Sequence, residues 1–295
     1  MPDSIPVLFD TDIGSDIDDA LALSYLLAER RAHLLGVSTV SGGAVDRARL
    51  ADAICRAAGR PEVPVWSGTE NPVVGTQQQP DVPQAQVLER WDHHQDFEPN
   101  RAVFRMREVI RNHPEEIALI CVGPLTNVGL LFSLDPQIPS LLDRLVIMGG
   151  CYFDSTREWN ILCDPHAATI VFGAEVRKCL VYGLDVTREC TLGAQECRER
   201  LVGGPLELVA EMAEVWFGER DTITFHDPLA ACCAFEPEMC RYEYGFVEVE
   251  CGAAGRGGAT GFTVTDGGQH GVADEVDVTA FFDRYFGTIE GFGKQ

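Results

Sequence analysis

Ile5-Pro-Val-Leu-Phe-Asp10-Thr-Asp12-Ile-Gly-Ser-Asp16-Ile-Asp18-Asp19-Ala20-Leu21-Ala-Leu23 decides the fold. Its first five residues are a short apolar run of the kind that forms a buried strand. Across residues 18–29, Ala20, Leu21, Leu23, Leu26 and Leu27 recur at helical spacing. Between strand and helix sit five aspartates: Asp10, Asp12, Asp16, Asp18 and Asp19. A strand, a polar turn and a helix make the first step of an alternating α/β chain, and the alternation continues. Residues 34–40 read as a second strand, 46–58 as a second helix closed by Gly59 and Pro61, and 63–66 as a third strand. The pattern implies a parallel sheet with helices on its faces.

Residues 68–100 interrupt the rhythm with Gln77-Gln-Gln-Pro-Asp-Val-Pro-Gln84 and Trp91-Asp-His-His-Gln95. A loop of that length in a compact domain is either functional or disordered. Helices are then expected at 102–112, 126–133, 165–172, 201–217 and 227–235, with a closing helix around 281–286. Strands are expected at 116–122, 145–148 and 178–182, and 247–250 with 262–265 read as a hairpin around glycine-rich residues 252–261. No repeat or linker divides the chain. The expected fold class is α/β: one domain over residues 1–295, with an open, mostly parallel, Rossmann-like sheet flanked by helices. In such sheets ligands bind at the carboxyl ends of the strands. The acidic turn, Ser41-Gly-Gly43, Gly123-Pro-Leu-Thr-Asn127 and Gly149-Gly150 all follow strands, so they share one rim.

Composition narrows the function. Lysine and arginine number 23 against 46 aspartates and glutamates, a net charge of −23. So negative a chain is a poor match for a nucleic-acid backbone or an anionic membrane, and most of the acids read as a solubilising surface. No apolar run approaches the ~20 residues that span a bilayer. The eleven cysteines form no Cys-x-x-Cys, and Cys121, Cys163, Cys232 and Cys233 lie in or beside apolar segments, where free cysteine acts as a small hydrophobe. The start, Met1-Pro-Asp-Ser4, has neither a basic region nor an apolar signal core. These features together imply a reduced, cytoplasmic setting.

The aspartate cluster is the strongest chemical signal. Five carboxylates held together repel one another unless a cation joins them, and oxygen-only sites suit calcium or magnesium. The cluster lacks the length and closing glutamate of an EF-hand loop. Capping of the helix by Asp16 or Asp18 is the structural alternative, and it accounts for one or two of the five. His226-Asp227-Pro228 is weaker, since a His-Asp pair before a proline also suits a helix start.

Six motifs, in order, resemble the inosine–uridine nucleoside hydrolase family. Asp10-Thr-Asp12-Ile-Gly14-Ser-Asp16-Ile-Asp18-Asp19-Ala20 is similar to the family's Asp-x-Asp-x-Gly-x-Asp-Asp-Ala. Val122-Gly-Pro-Leu-Thr-Asn127, Met148-Gly-Gly150, Glu158-Trp-Asn160 with Asp164-Pro165, Gly183-Leu-Asp-Val-Thr187 and His226-Asp-Pro-Leu229 follow. The resemblance implies hydrolysis of the N-glycosidic bond of a ribonucleoside or related riboside, with a calcium ion holding the attacking water and the ribose hydroxyls. By position it implies Asp12 as calcium ligand and general base, and Asp19, Asp227 and the Val122 carbonyl as further ligands. Asp18, Glu158 and Asn160 would bind the ribose, and Trp159 would stack on substrate or pack. His226 would protonate the leaving base. Family members are commonly dimers or tetramers, so a homo-oligomer is implied as well. Glycosidic cleavage passes through an oxocarbenium-like state that carboxylates stabilise, and a calcium-held water still needs a base.

The chain departs from the pattern in several places, among them the lack of a match to the family's ribose-binding asparagine after Met148-Gly-Gly150 and Trp159 in place of phenylalanine. Two extra residues precede the Asp18-Asp19 pair, so Asp16 competes with Asp18 for the sugar. Gly42-Gly43 stands where the family has Gly-Asn, which loses a site hydrogen bond or passes it to another residue. Residues 77–95 replace a His-Gly segment, leaving His93 and His94 as loop residues within potential reach of the site. Two other classes compete with the nucleosidase: a metal-dependent phosphohydrolase, which leaves Glu158-Trp-Asn160 and His226-Asp227 without a role, and a non-catalytic nucleoside- or ribose-binding protein of the same fold.

Overall fold

A computed structural model describes residues 4–252 and 257–292. In chain order the elements are β1 (Ile5–Thr11), α1 (Asp18–Ala28), β2 (Ala32–Thr39), α2 (Ala44–Ala57), β3 (Val65–Ser67), α3 (Ala102–Asn112), β4 (Ile117–Cys121) and α4 (Thr126–Leu134). There follow β5 (Leu142–Met148), α5 (Trp159–Cys163), α6 (Pro165–Phe172), β6 (Cys179–Tyr182), α7 (Leu184–Thr187), β7 (Thr191–Gly193), α8 (Ala194–Arg200) and α9 (Leu206–Phe217). β8 (Thr222–Thr224), α10 (His226–Cys233), β9 (Cys240–Val249), β10 (Thr260–Val264), β11 (His270–Val276) and α11 (Val278–Phe292) complete the fold.

The main sheet has nine strands in the order β10-β9-β11-β6-β5-β4-β1-β2-β3, and a separate β7-β8 pair lies outside it. From β3 to β11 all neighbours are parallel; β9 alone runs the other way, antiparallel to both β11 and β10. The strands are apolar on both faces because both are covered. Val7, Phe9, Ala118, Ile120, Val146 and Met148 face a core built with α1, α2, α9, α10 and α11. Leu8, Leu119, Cys121, Leu145 and Ile147 face α3, α4 and α6. This doubly covered, near-continuous apolar pattern is what a parallel sheet requires. Strand order reverses between β1 and β4, and at such a switch point the two flanking loops diverge and leave a crevice.

The first half follows the sequence expectation closely, and α3 and α6 have the expected bounds. The second half adds the short, unexpected α5, α7, β7 and β8 and differs in three further ways. The helix expected over 201–217 begins only at Leu206, because Gly203 and Gly204 adopt left-handed φ of 82° and 55° and Pro205 follows them. These residues break the chain between α8 and α9, and α8 was not anticipated. The antiparallel pair is longer than expected, running through β9 and β10; residues 253–256 of its connection lie outside the described residues. β11 was not anticipated, since its Asp274 and Glu275 interrupt the apolar pattern, yet its first four residues are buried beside β6. Among the described residues no helix is long and apolar enough to cross a membrane.

Glu29, just beyond α1, fastens the closing helix to the first. It accepts from the backbone N–H of Arg31 (2.9 Å) and from the Arg31 guanidinium (3.1 Å), and it pairs with Arg284 of α11. Glu236, after α10, bonds both arginines at 2.8 and 2.9 Å. Burial opposes ionisation of Glu29, but the Arg31 and Arg284 contacts outweigh it and hold its pKa below the usual carboxylate value. A carboxylate shifted downward stabilises the fold above its unfolded pKa and loses that contribution as pH falls through it. Glu29→Gln is therefore expected to lower stability by about 2 kcal/mol at pH 7, as for loss of a charge-assisted bond. Urea unfolding should show this gap closing below pH ~4, near the unfolded carboxyl pKa.

Candidate active site

The switch point places the acidic turn beside the segment after β4. β1 ends at Thr11, so Asp12 stands at the strand's carboxyl end, next to Gly123. A Cβ on Gly123 would lie 2.8 Å from Asp12 Oδ1 and 2.9 Å from the Asp12 nitrogen, so only glycine lets these two loops approach. Asn127 crosslinks three strand ends. Its amide nitrogen donates to Asp10 Oδ1 (2.8 Å) and to the Thr39 carbonyl (2.9 Å), and its oxygen accepts from the Thr69 N–H (3.0 Å).

Asp18, Asp19 and Asp227 form the centre of the site. Each is buried, and each offers a carboxylate oxygen within 4.8 Å of the other two. Asp18 and Asp19 lie in the first turn of α1 and Asp227 in the first turn of α10, so two helix N-termini point their partial positive charge at the group. Asp18 Oδ2 accepts the Asp227 N–H at 3.2 Å, and Asp19 accepts from the Thr11 hydroxyl. Neither Asp16 nor Asp18 caps α1 with its side chain; the cap position is Ile17. Asp16 turns back onto the Ile17 N–H at 2.6 Å, while Ile17 itself is fully buried. The two-residue insertion thus contributes one core side chain and one peripheral acid. Asp18, not Asp16, enters the buried group.

Burial, and then the neighbouring negative charges, push Asp18, Asp19 and Asp227 well above the usual carboxylate pKa. Burial also raises Asp12, against the nearby Arg47 charge, and lifts Asp10 to about 7 and Asp16 to about 6. Like charges confined in this way favour a shared cation, and a donor set made only of oxygen fits a hard divalent ion. Arg47 of α2, fully buried, places a cation in this corner. It donates to the carbonyls of Asp12, Ile13 (3.1 Å), Gly42 (2.8 Å) and Asp81 (3.2 Å) and to Ser15 Oγ (3.0 Å). Its bonds go to neutral oxygens, so its charge balances the aspartates through space.

Across the crevice, Glu158 precedes α5 and accepts three backbone N–H groups, from Asn160 (2.7 Å), Gly150 (3.0 Å) and Ile161 (3.0 Å). Burial nevertheless raises its pKa to about 7. The Asn160 amide donates to the Val122 carbonyl at 2.7 Å, leaving that oxygen one lone pair. Trp159 is 48% exposed beside these buried neighbours. His226 is half-buried, with Nδ1 2.7 Å from the Thr187 hydroxyl of α7. Burial and the Arg188 charge lower its pKa to about 4, so it is neutral at pH 7.

Residues 68–100 are largely irregular but docked, with a 3₁₀ stretch at Pro83–Glu89. His93 and His94 are held on the flank of α2, where the His94 N–H donates to Asp52 (2.6 Å) and His93 bonds the Trp91 carbonyl (2.8 Å). Gln79 does reach the site: its amide donates to Asp12 Oδ2 at 3.0 Å. Sequence reasoning missed Gln79, Arg47 and Thr187. Arg47 carried a signal, because it falls at helical spacing with Ala44, Ala48 and Ala51 on the buried face of α2.

The chain is similar to known nucleoside hydrolases. Among curated relatives, a probable uridine nucleosidase 1 of Oryza sativa subsp. japonica is 29% identical over 289 residues, covering 89% of this chain and 85% of the relative. The pyrimidine-specific ribonucleoside hydrolase RihA of Citrobacter koseri is 29% identical over 276 residues, covering 84% of each. Among solved structures, a purine-preferring ribonucleoside hydrolase from Gardnerella vaginalis shares the fold with a TM-score of 0.84 at 24% identity, over 98% of this chain and 99% of that one. The family model described as inosine-uridine preferring nucleoside hydrolase matches residues 7–283, and with that span the chain belongs to the inosine-uridine preferring nucleoside hydrolase family.

Proposed function

We propose that this protein hydrolyses the N-glycosidic bond of ribonucleosides, releasing free base and ribose, at the crevice between β1 and β4. The observation that carries the reading is the buried group of Asp18, Asp19 and Asp227 at two helix N-termini, with Asp12 beside it. Calcium is the proposed cation, held by Asp12, Asp19, Asp227 and the free lone pair of the Val122 carbonyl; when bound it supplies positive charge that orients and acidifies a water.

The chain's own groups do the remaining work. Asp12 removes a proton from the attacking water as general base. Asp18 accepts from ribose hydroxyls at the inner edge of the site. Glu158, already held by three backbone N–H groups, and Asn160 fix the sugar from the opposite wall. Buried carboxylates on both sides of the ring favour the positive charge that develops on the sugar as the bond breaks. His226 is neutral at pH 7. With Nδ1 bonded to the Thr187 hydroxyl and the ring proton on Nε2, it stabilises the departing base as a hydrogen-bond donor, and the base takes its proton from solvent. The relatives make uridine the first substrate to test, and the family places inosine beside it. A homodimer or homotetramer belongs to the same reading on family resemblance, measurable by light scattering. The eleven free cysteines, ten of them buried, favour a reducing, cytoplasmic compartment.

Ribose release from uridine or inosine, measured by a reducing-sugar assay, should depend on calcium and stop with chelator. Asp12→Asn should lower turnover by about 10²–10⁴-fold, the range for a lost general base. Absence of ribose release from a panel of nucleosides by the calcium-loaded wild type would falsify the assignment. The metal has a second signature. Carboxylates with raised pKa hold extra protons in the folded state, so the calcium-free protein loses stability as pH rises above the unfolded carboxyl value of about 4. Calcium relieves this, so its increment in melting temperature should be larger at pH 7.5 than at pH 5.5. Asp19→Asn should shrink the increment.

A further inference from the structure

Gln79 comes from the irregular segment after β3, far in sequence from every motif of the site. Its carboxamide joins two groups with opposite demands when Asp12 is ionised. The amide nitrogen donates to Asp12 Oδ2 at 3.0 Å, and the amide oxygen accepts the indole N–H of Trp159. An ionised carboxylate only accepts and an indole only donates, so a carboxamide between them has one permitted orientation. Glutamate would repel Asp12, and lysine would leave the indole without an acceptor.

The backbone that delivers Gln79 is fixed at several points. Arg47 donates to the Asp81 carbonyl (3.2 Å) and the Gln79 carbonyl (3.5 Å), and Ser15 Oγ donates to the Asp81 carbonyl (3.2 Å). The Gln79 N–H donates to Gln77 Oε1 at 2.7 Å. The segment lies so close to the loop after β2 that a Cβ on Gly42 would meet the Gln79 carbonyl oxygen and the Pro80 Cα, each at 2.6 Å. The absence of a side chain at position 42 is what admits Gln79 to the site.

We infer that Gln79 is a positioning residue for Asp12, with Trp159 holding the amide in its working orientation. The inference rests on the hydrolase reading above. Asp12 stands at a strand end, and among the described residues no side-chain cation contacts its carboxylate directly. With Oδ2 taken by Gln79, the carboxylate is prevented from rotating, and Oδ1, on the Gly123 side, is presented in one direction. A base that must meet a water at one angle gains from such restraint, because misplacement of a reacting group by about 1 Å can cost two orders of magnitude in rate.

Steady-state kinetics on uridine and inosine with the calcium-loaded protein test this in wild type, Gln79→Met, Gln79→Asn, Gln79→Glu, Trp159→Phe and the Gln79→Met/Trp159→Phe double variant. Methionine keeps the length without the polar atoms, and asparagine is too short to touch both partners. Each Gln79 variant should lower kcat by about tenfold or more, with KM within about twofold of wild type. Melting temperature and its calcium increment should be retained in Gln79→Met and Gln79→Asn. Trp159→Phe should lower kcat less than these do, and should lower it no further once Gln79 is methionine. Three results overturn the role: wild-type kcat in Gln79→Met, a change confined to KM, or independent effects of the two residues on kcat. An inactive wild type overturns the hydrolase reading and this role together; an active wild type with an unaffected Gln79→Met overturns this role alone.

Discussion

The structure depends on holding like charges together out of water. Asp18, Asp19 and Asp227 are buried within 4.8 Å of one another, an arrangement that costs free energy in any protein without compensation. Compensation comes from three directions. The N-termini of α1 and α10 face the group. Arg47 places a full positive charge nearby without pairing with any one carboxylate. The oxygen-only donor set leaves the balance to a hard cation. The sheet serves this arrangement, because the reversal of strand order between β1 and β4 opens the crevice where both helix ends meet.

Much of this was legible in the sequence because the physics was local. A strand, an acidic turn and an apolar helix are written within residues 5–28, and the parallel α/β architecture follows from their repetition. The same holds for the loops after β4 and β5, whose place on the rim follows once their strands are identified. The placement of Asp18 rather than Asp16 in the buried group was implied by the family resemblance of the Asp18-Asp19 pair, but the residues alone did not decide it. It depends on Ile17 entering the core, which the residue spacing alone does not decide. The late part of the chain was less legible still, since β11 carries two acids and is a strand only because β6 and β9 flank it.

Long-range contacts account for the rest of what sequence reading left out. Arg47 lies on the apolar face of a helix, where an arginine is ordinarily an anomaly, and its purpose is visible only when the carbonyls of three separate loops surround it. Gln79 had no motif at all. Thr187 stood inside a recognised motif, but its bond to His226 joins residues from two helices, α7 and α10, brought together by the fold. The neutral state of that histidine is likewise a product of enclosure, since an imidazole in water would be partly charged near neutrality.

Arg47 binds the carbonyls of the acidic turn, of Gly42 in the loop after β2 and of the segment carrying Gln79 with one side chain. These three stretches are therefore not independent modules. Exchanging residues 77–82 for the equivalent loop of a relative would strand a buried guanidinium and alter the turn that presents Asp12. A loop graft in this scaffold has to carry Arg47 and Gly42 with it as one inherited unit, and substrate range and metal binding are then free to diversify only in concert.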